Sequence, residues 1–334
     1  MDTTALLIEG IVKSLILVFI LLTGFAYLTL FERKALARIQ TRIGPNRAGP
    51  VGFFQPVADG LKLIFKEELI PARADRIIFV LAPVITVIPA LIIMAVVPFG
   101  DEVVLFGRVI HLAVANINVG ILYILAVASI SVYGIVLAGW SSNNKYAMLG
   151  GLRSSAQMVS YELALGLAFI GPIMLAGSMN LEDIVEAQRG MWFIVYQPLA
   201  AIIYWIAALA EVNRAPFDMP EAEQELTAGY HTEYSGMKFA LFYMAEYIKM
   251  IAVSAIAATL FFGGYLGPFV DALPWLGPIY LFIKVILLLF VMIWIRATLP
   301  RIRYDRLMAF GWKVMLPAAL LSVMLTAVVM VLVL

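Results

Sequence analysis

Three carboxylates lie inside or at the edge of long apolar segments of this chain. They are Glu162 in SYELALG, Glu211 at the end of an apolar run, and Glu246 in MAEYIKM. A charged side chain inside a bilayer costs roughly 3 kcal/mol or more unless it is paired, hydrated or neutralised, so such acids are candidates for function. Carboxylates that lie close together titrate as a group. Three carboxylates in apolar segments therefore predict a group of side chains that takes up and releases protons.

Two of these acids are expected at a similar depth in the membrane. Glu162 follows Arg153 by nine residues, and Glu246 follows Lys238 by eight, where each base marks the inside end of an apolar segment. At a helical rise of about 1.5 Å per residue, both carboxylates lie roughly 12 to 14 Å from that boundary. Glu211 lies nearer the surface, where it leads into an acidic loop.

A structural ion pair is the alternative explanation for Glu246. Lys249 follows it by three residues, which is about one helical turn, and Lys284 lies near the middle of a later apolar segment. Either base is a possible partner for the carboxylate. Both interpretations of Glu246, as a proton carrier or as half of an ion pair, remain open on the sequence.

The composition restricts the class of protein that can hold these acids. With 63% hydrophobic and 13% charged residues, the chain is predicted to be a polytopic membrane protein. It has no cysteine, which excludes thiolate-held iron–sulfur and zinc sites within this chain. The two histidines, His111 and His231, lie too far apart in the sequence to predict a metal site. The net charge of +1 gives no indication of a nucleic-acid partner.

Apolar stretches long enough to cross a hydrocarbon core, which requires about 20 helical residues, occur eight times. The predicted fold is an all-α polytopic membrane protein that forms a single membrane domain, 1–334, with eight transmembrane helices. We place these helices near 11–31, 78–98, 117–140, 156–178, 191–211, 239–262, 277–297 and 313–333.

Basic residues are concentrated in alternate connections between these segments. Seventeen Lys and Arg residues fall in one set of loops, and the other set holds only Arg108 and Arg189. Cytoplasmic loops carry the Lys and Arg excess of a membrane protein, so both termini are predicted to lie outside. The predicted cytoplasmic loops of interest are a first loop at 32–77, an acidic loop five at 212–238 and a basic loop at 298–312.

The first and fifth loops have unusual patterns. Gly and Pro fill five of the nine positions in 44–52, and the following segment, 53–69, spaces its apolar residues as a helix does. This pattern predicts an amphipathic helix lying at the membrane interface. In loop five, Pro and Phe residues alternate with acids, which favours packing against another surface over a solvated acidic face.

Four long blocks carry a specific resemblance to a known family. They are, in order, FERKALARIQTRIGPNRAGPVGFFQPVADGLKLIFKE, GLRSSAQMVSYELALG, AEVNRAPFDMPEAEQELTAGYHTEYSGMKFALFYMAEY and RATLPRIRYDRLMAFGWKVMLP. The blocks resemble the signature segments of the H-subunit family of the proton-pumping NADH-quinone oxidoreductase, respiratory complex I. The resemblance covers nearly the whole chain, between eight predicted helices.

The resemblance implies a membrane subunit that forms the membrane side of a quinone-binding chamber and couples quinone reduction to proton pumping. Quinone is its substrate, and the chain is expected to bind no metal or covalent cofactor and to contain no redox or catalytic centre. NADH, flavin and iron–sulfur clusters would belong to partner subunits. The expected partners are hydrophilic iron–sulfur and quinone-site subunits and small neighbouring membrane subunits. The expected location is the bacterial cell inner (plasma) membrane, or else an organelle inner membrane.

The resemblance also implies roles for particular residues. The residues expected to line the quinone chamber or its junction are Glu32, Arg33, Asp59, Lys62, Arg153, Arg214 and Asp218. The residues expected to form the acidic proton-coupling path are Glu162, Glu211, Glu221, Glu223, Glu225 and Glu246.

Three other functions are weighed against this one. The membrane anchor of a related membrane-bound hydrogenase would share the ancestry without needing a quinone chamber. A stand-alone ion transporter would account for the buried acids, but it is expected to show duplicated halves, and the sequence has no such repeat. An inert scaffold would leave the buried carboxylates unexplained.

Overall fold

Helices make up most of the chain in the computed structural model, which describes residues 3–105, 108–219, 229–270 and 272–333. This confirms the helical part of the predicted fold. The helices are α1 (Thr3–Ile39), α2 (Gln55–Ile64), α3 (Arg76–Ile93), α4 (Gly120–Ser141), α5 (Lys145–Ala176), α6 (Leu181–Glu186), α7 (Phe193–Tyr196), α8 (Pro198–Glu211), α9 (Gly236–Phe261), α10 (Gly277–Thr298), α11 (Tyr304–Phe310) and α12 (Leu316–Val333).

Seven helical units of the described residues are long and apolar enough to cross a membrane. They are α1, α3, α4, α5, α9, α10 and the continuous unit formed by α11, a π-helical turn at Gly311–Met315 and α12. The fifth predicted segment, 191–211, instead holds two short helices, α7 and α8. The break between them falls at Gln197, whose backbone is not helical and which precedes Pro198. α8 has 14 residues, so it extends only about 21 Å.

Local sequence signals set the ends of the helices that carry the site. The Asp75 carboxylate accepts hydrogen bonds from the backbone N–H groups of Ile77 and Ile78 at the start of α3. The Asn144 side chain caps α5 in the same way, by accepting from Tyr146 N at 2.9 Å. Gly177 ends α5 with a left-handed backbone (φ +69°), which glycine adopts without strain.

Helix α9 lies at the centre of the bundle. In its most apolar stretch 61% of the residues are buried, against 22% for α1 and 17% for the α11–α12 unit. α9 packs against α3, α1 and α10. Polar side chains on α9 are therefore enclosed by other helices, whereas much of α1 and α12 faces outward.

Glycines allow two close approaches around the site. A Cβ at Gly134 of α4 would lie only 2.1 Å from the Thr86 Oγ1 atom of α3, so the two helices pack backbone to backbone. A Cβ at Gly150 of α5 would lie 2.7 Å from the backbone of Gly229. This second contact holds the returning end of loop five directly against α5.

Two smaller elements lie outside the bundle. Helix α2 falls within the predicted amphipathic segment 53–69 but is shorter, and its apolar residues Val57, Leu61 and Ile64 are each more than half exposed in this chain. A two-stranded antiparallel hairpin, β1 (Glu102–Leu105) and β2 (Arg108–His111), pairs Glu102 with His111. The all-α prediction did not include this hairpin, because four-residue strands give only a weak periodic signal.

Candidate functional site

Arg214 lies at the centre of a buried cluster of charges. It follows α8 and its side chain is only 4% exposed. Its Nη1 atom donates to Glu32 Oε1 at 3.1 Å, and its Nε atom lies 2.6 Å from Glu246 Oε1. The guanidinium also stacks over the ring of Tyr247, 4.4 Å from the centroid. The Arg214 guanidinium thus contacts two carboxylates from two different helices, α1 and α9.

A second base completes the cluster. Arg296, near the end of α10, donates a short hydrogen bond to the same Glu32 oxygen. The Tyr247 hydroxyl also hydrogen-bonds to Glu32. Two guanidinium groups and two carboxylates therefore balance in charge. Removing one partner of such a buried pair typically costs about 3–5 kcal/mol, because the remaining charge is left uncompensated.

Gln157 of α5 holds the start of loop five in place. Its Nε2 atom donates to the backbone carbonyl oxygens of Ala210 at 2.8 Å and Phe217 at 2.7 Å. It also lies 3.2 Å from the Asn213 Oδ1 atom. The Gln157 side chain is fully buried, so water cannot replace it as the hydrogen-bond donor to these carbonyl oxygens. Gln157 therefore fixes the turn that presents Arg214 to the charge cluster.

The far end of loop five is anchored on α3. Tyr234 stacks flat on Phe79, with ring centroids 4.0 Å apart, and its hydroxyl donates to Phe79 O at 3.1 Å. Burial raises the pKa of Tyr234 to about 12, and the nearby Ser141 hydroxyl lowers it to a smaller extent. The phenol is therefore a neutral hydrogen-bond donor at any physiological pH.

The residues predicted for the first loop contact each other. Arg33 at the end of α1 pairs with Asp59 of α2, with Nη1 and Oδ2 at 2.5 Å. Gln55 donates to the other oxygen of Asp59 at 3.1 Å, and Lys34 donates to Val51 O at 2.6 Å. The Arg33–Asp59 pair attaches α2 to α1, and Lys34 attaches α1 to the turn that precedes α2. Lys62 lies on the same helix with its side chain exposed.

The remaining predicted chamber residues, Arg153 and Asp218, contact residues at and before the start of α11. Asp218 pairs with Arg301, with Oδ2 and Nη2 at 2.9 Å. Arg153 of α5 lies over the ring of Tyr304, 5.6 Å from its centroid. The ion pair between Asp218 and Arg301 therefore joins loop five to the segment before α11.

The described acids of the predicted path lie in three different surroundings. Glu162 of α5 accepts a short hydrogen bond from Ser129 of α4. Glu211, at the end of α8, is 7% exposed, and its Oε2 atom has no hydrogen-bond partner among the described residues. Glu246 belongs to the Arg214 cluster. The path residues Glu221, Glu223 and Glu225 lie outside the described residues.

Glu246 forms an ion pair with Arg214, which is neither of the two bases considered on the sequence. Lys249 donates instead to Ser131 Oγ at 2.6 Å. Lys284 donates to three backbone carbonyl oxygens just beyond α9, those of Phe262, Gly264 and Leu266, at 2.7 to 2.8 Å. Lys284 thus caps the carboxyl-terminal end of α9, where a cation is stabilising. The actual partner, Arg214, is distant in sequence.

Comparisons with known proteins show the family of this chain. The family model described as NADH dehydrogenase matches residues 12–327. The chain belongs to the NADH dehydrogenase family. It is 52% identical to the H subunit of NADH-quinone oxidoreductase from Thermomicrobium roseum, over 98% of both chains. It is also 52% identical to the H subunit of NADH-quinone oxidoreductase from Protochlamydia amoebophila, over 91% of this chain and 92% of the relative.

A third relative, an H subunit of NADH-quinone oxidoreductase from Geobacter metallireducens, is 52% identical over 96% of both chains. The resemblance to the H-subunit family is therefore confirmed. Together with the apolar helices, family membership identifies a multi-pass membrane protein.

Sequence reasoning missed three residues that this family member places at the site. Arg296 and Tyr247 complete the Arg214 cluster, and Gln157 holds loop five. Gln157 carried one usable signal, since an amide within an apolar segment must find buried partners. The predicted chamber and path groups are also not separate in space, because Arg214 contacts Glu32 of one group and Glu246 of the other.

Replacing Gln157 with Leu is expected to loosen the start of loop five without unfolding the bundle. The substitution leaves buried carbonyls of Ala210 and Phe217 without a donor, at about 1–3 kcal/mol. Hydrogen–deuterium exchange of the amides in 212–219 should therefore become roughly tenfold faster in the purified complex.

The matched control is Gln188→Leu, because Gln188 is an equally buried glutamine that bonds to Ile184 and Thr259 far from loop five. This control should leave exchange in 212–219 unchanged. Equal exchange rates in Gln157→Leu and the wild type would show that Gln157 does not hold the loop.

Proposed function

We propose that this chain is the membrane subunit of a proton-translocating NADH-quinone oxidoreductase. In that role it forms the membrane side of the quinone-binding chamber and couples quinone reduction to proton pumping through an acidic path. The relatives at 52% identity are named as H subunits of NADH-quinone oxidoreductase. This naming favours the quinone enzyme over a hydrogenase anchor or a stand-alone transporter.

One observation carries the coupling role: Arg214 binds both Glu32 and Glu246. Glu32 lies at the end of α1 beside Arg33, which pairs with Asp59 on the proposed chamber side. Glu246 lies on α9, and this helix continues into the proposed membrane interior. Any change of charge or protonation at Glu32 therefore alters how strongly Arg214 attracts Glu246. The shared Arg214 cation therefore links Glu32 to Glu246 electrostatically, without a large movement of the helices.

The direction of this linkage follows from electrostatics. When Glu32 is ionised, Glu32 and Glu246 both attract the Arg214 guanidinium, so each carboxylate compensates part of its positive charge. If Glu32 gains a proton, it loses its negative charge. The electrostatic attraction between Arg214 and the Glu246 carboxylate then becomes stronger. The two carboxylates are thus coupled, and the coupling acts equally in both directions. Reduction of quinone, which changes charge and proton demand in the chamber, would drive this exchange.

In this proposal the chain binds and relays but transfers no electrons. It has no cysteine to hold an iron–sulfur cluster. Hydrophilic partner subunits would bind NADH, flavin and iron–sulfur clusters, which supply the electrons that reduce the quinone. The subunits that pump protons would be neighbouring membrane partners, which fits the exposed apolar faces of α1 and α12. The enzyme would lie in the bacterial inner membrane.

The proposed topology has eight membrane crossings with both termini outside. The shorter fifth helix, α8, completes its crossing with α7 and the segment around Gln197. The excess of Lys and Arg in alternate loops, seventeen against two, supports this orientation.

Reporter fusions should confirm this orientation. Alkaline phosphatase, which is active only outside the cytoplasm, is expected to be active at the carboxyl terminus, and green fluorescent protein is expected to be dark there. A matched fusion inserted after Glu67 in the basic first loop should show the reverse pattern. A fluorescent carboxyl-terminal fusion would contradict the proposed orientation.

Substitutions on the chamber side are expected to change quinone binding. Asp59→Asn removes the charge that pairs with Arg33, and Arg214→Ala removes the shared cation. Either change should shift the titration midpoint of a quinone-site inhibitor by roughly tenfold, which corresponds to about 1.4 kcal/mol of binding free energy. The measurement is NADH-to-quinone activity against inhibitor concentration in membranes.

The control for these two variants is Asp305→Asn, because Asp305 is an exposed carboxylate that pairs with Arg303, its near neighbour in sequence. It should leave the inhibitor titration unchanged. If Asp59→Asn and Arg214→Ala variants assemble and titrate as the wild type does, these residues do not border the chamber.

Substitutions in the acidic path are expected to lower coupled turnover without preventing assembly. Glu162→Gln and Glu246→Gln keep the side-chain shape but remove a proton-binding group. Proton transfer by a positioned side chain typically contributes a factor of about 100 or more, so a loss of at least tenfold is expected. Proton pumping into inverted vesicles, measured beside NADH oxidation, tests this.

Glu182→Gln is the matched control, because Glu182 lies on α6, in a loop that the proposed topology places on the opposite side of the membrane from loop five. It should pump as the wild type does. Normal turnover and pumping in assembled Glu162→Gln and Glu246→Gln variants would remove both residues from the path.

A further inference from the structure

A small cavity within the bundle brings an acid and a base together. Its volume is about 20 Å³, and its polar lining consists of Tyr204, Glu211 and Lys249. The rest of its wall is apolar and comes from α3, α4, α5, α9 and Val212, which follows α8. A cavity of this size accommodates a water molecule when at least two polar groups face it.

Lys249 is a buried cation with one described hydrogen-bond acceptor. It lies on the central helix α9, is 6% exposed, and donates to Ser131 Oγ at 2.6 Å. The Ser131 hydroxyl in turn donates to Ala128 O at 2.7 Å. An ammonium group has three N–H donors, so a single neutral acceptor does not compensate its burial. It requires an anion nearby.

Glu211 meets that requirement. Its carboxylate is 7% exposed, and Oε2 has no hydrogen-bond partner in the part of the chain that the structure describes. A buried carboxylate is as costly as a buried ammonium, and each lowers the cost of the other. The two groups line the same cavity, so they compensate each other across it.

The other titratable groups near Lys249 are already engaged. Glu162 of α5 and Glu246 of the same helix also act on Lys249 electrostatically. Glu162 accepts from Ser129, and Glu246 pairs with Arg214. Tyr204 donates its hydroxyl hydrogen to Val253 O at 2.8 Å. Among these groups, Glu211 is the acid that shares the cavity with Lys249.

We propose that Lys249 is the positioning base of the acidic path, and that its charge across this cavity favours the ionised form of Glu211. Glu211 is then ready to accept a proton, and the positive charge of Lys249 limits how long the proton remains. This inference rests on the proposed role of Glu211 in the path. It adds a basic residue to a path for which the sequence offered only acids.

The test uses the assembled complex with Lys249→Met, Lys249→Gln and Lys249→Arg variants. Infrared difference spectra between H₂O and D₂O detect the C=O stretch that only a protonated carboxyl gives. Lys249→Met and Lys249→Gln should each gain intensity in such a band at neutral pH relative to the wild type, and Lys249→Arg should match the wild type. Adding Glu211→Gln to Lys249→Met should abolish the added intensity and so assign it to Glu211.

The pH profile of pumping provides a second readout. Removing an opposite charge near a carboxylate moves its titration by roughly one pH unit or more. The pumping profile of Lys249→Met should therefore move toward higher pH by about that amount, and Lys249→Arg should restore it. The matched control is Lys284→Met, which removes a partly buried lysine that caps α9 and should leave the band and the profile unchanged.

The outcomes separate this inference from the proposed function. Absence of added carboxyl intensity in both Lys249→Met and Lys249→Gln would overturn the pairing, whatever the pumping results. Added intensity that persists after Glu211→Gln would assign the proton to another acid and also overturn it. If the band behaves as expected but Glu211→Gln alone pumps normally, the pair exists and the proposed path is wrong.

Discussion

The guanidinium of Arg214 lies between two carboxylates that stand far apart in the sequence, Glu32 of α1 and Glu246 of α9. All three groups are largely shielded from water, so none of them is stable in this setting without the others. This constraint fixes the rotation of α1 and α9 about their axes and the path of the chain after α8. Arg296 adds α10 to the same arrangement.

Neutral groups hold this charged centre in place. Gln157 binds the turn that carries Arg214, and Tyr234 anchors the returning end of loop five on Phe79. The close contact of Gly150 with Gly229 leaves no space for a side chain between loop five and α5. The loop that connects the proposed chamber to the membrane interior is therefore rigid at both described ends. A rigid connection suits a relay that works by charge.

From this centre, polar groups continue through the apolar bundle in short steps. Glu162 with Ser129 joins α5 to α4, and Lys249 with Ser131 joins α9 to α4. Each polar group lies beside apolar side chains that exclude bulk water, which strengthens electrostatic interactions between neighbours. In the proposed path, a change of protonation at one position alters the electrostatic energy of the next. The proposed coupling depends on this low-dielectric setting as much as on the acids themselves.

The helical fold could be predicted from the sequence because hydrophobic length alone determines which segments can cross a membrane. The predicted segments around α3, α4, α9 and α10 lie within a few residues of the observed helices. The fifth segment was less predictable, since its composition is apolar throughout but Pro198 divides it into two short helices. The short hairpin was also missed, because its strands have four residues each.

The sequence by itself determined the class of protein, the family and the acids worth testing. Buried charge is unfavourable enough that Glu162, Glu211 and Glu246 stand out in an apolar chain. Only the tertiary structure decided how they are paired. Nearby bases in the sequence suggested Lys249 or Lys284 for Glu246, but the partner is Arg214, brought from another part of the chain. The reason is physical: helix packing sets which side chains meet, and packing depends on contacts between distant segments that no local pattern encodes.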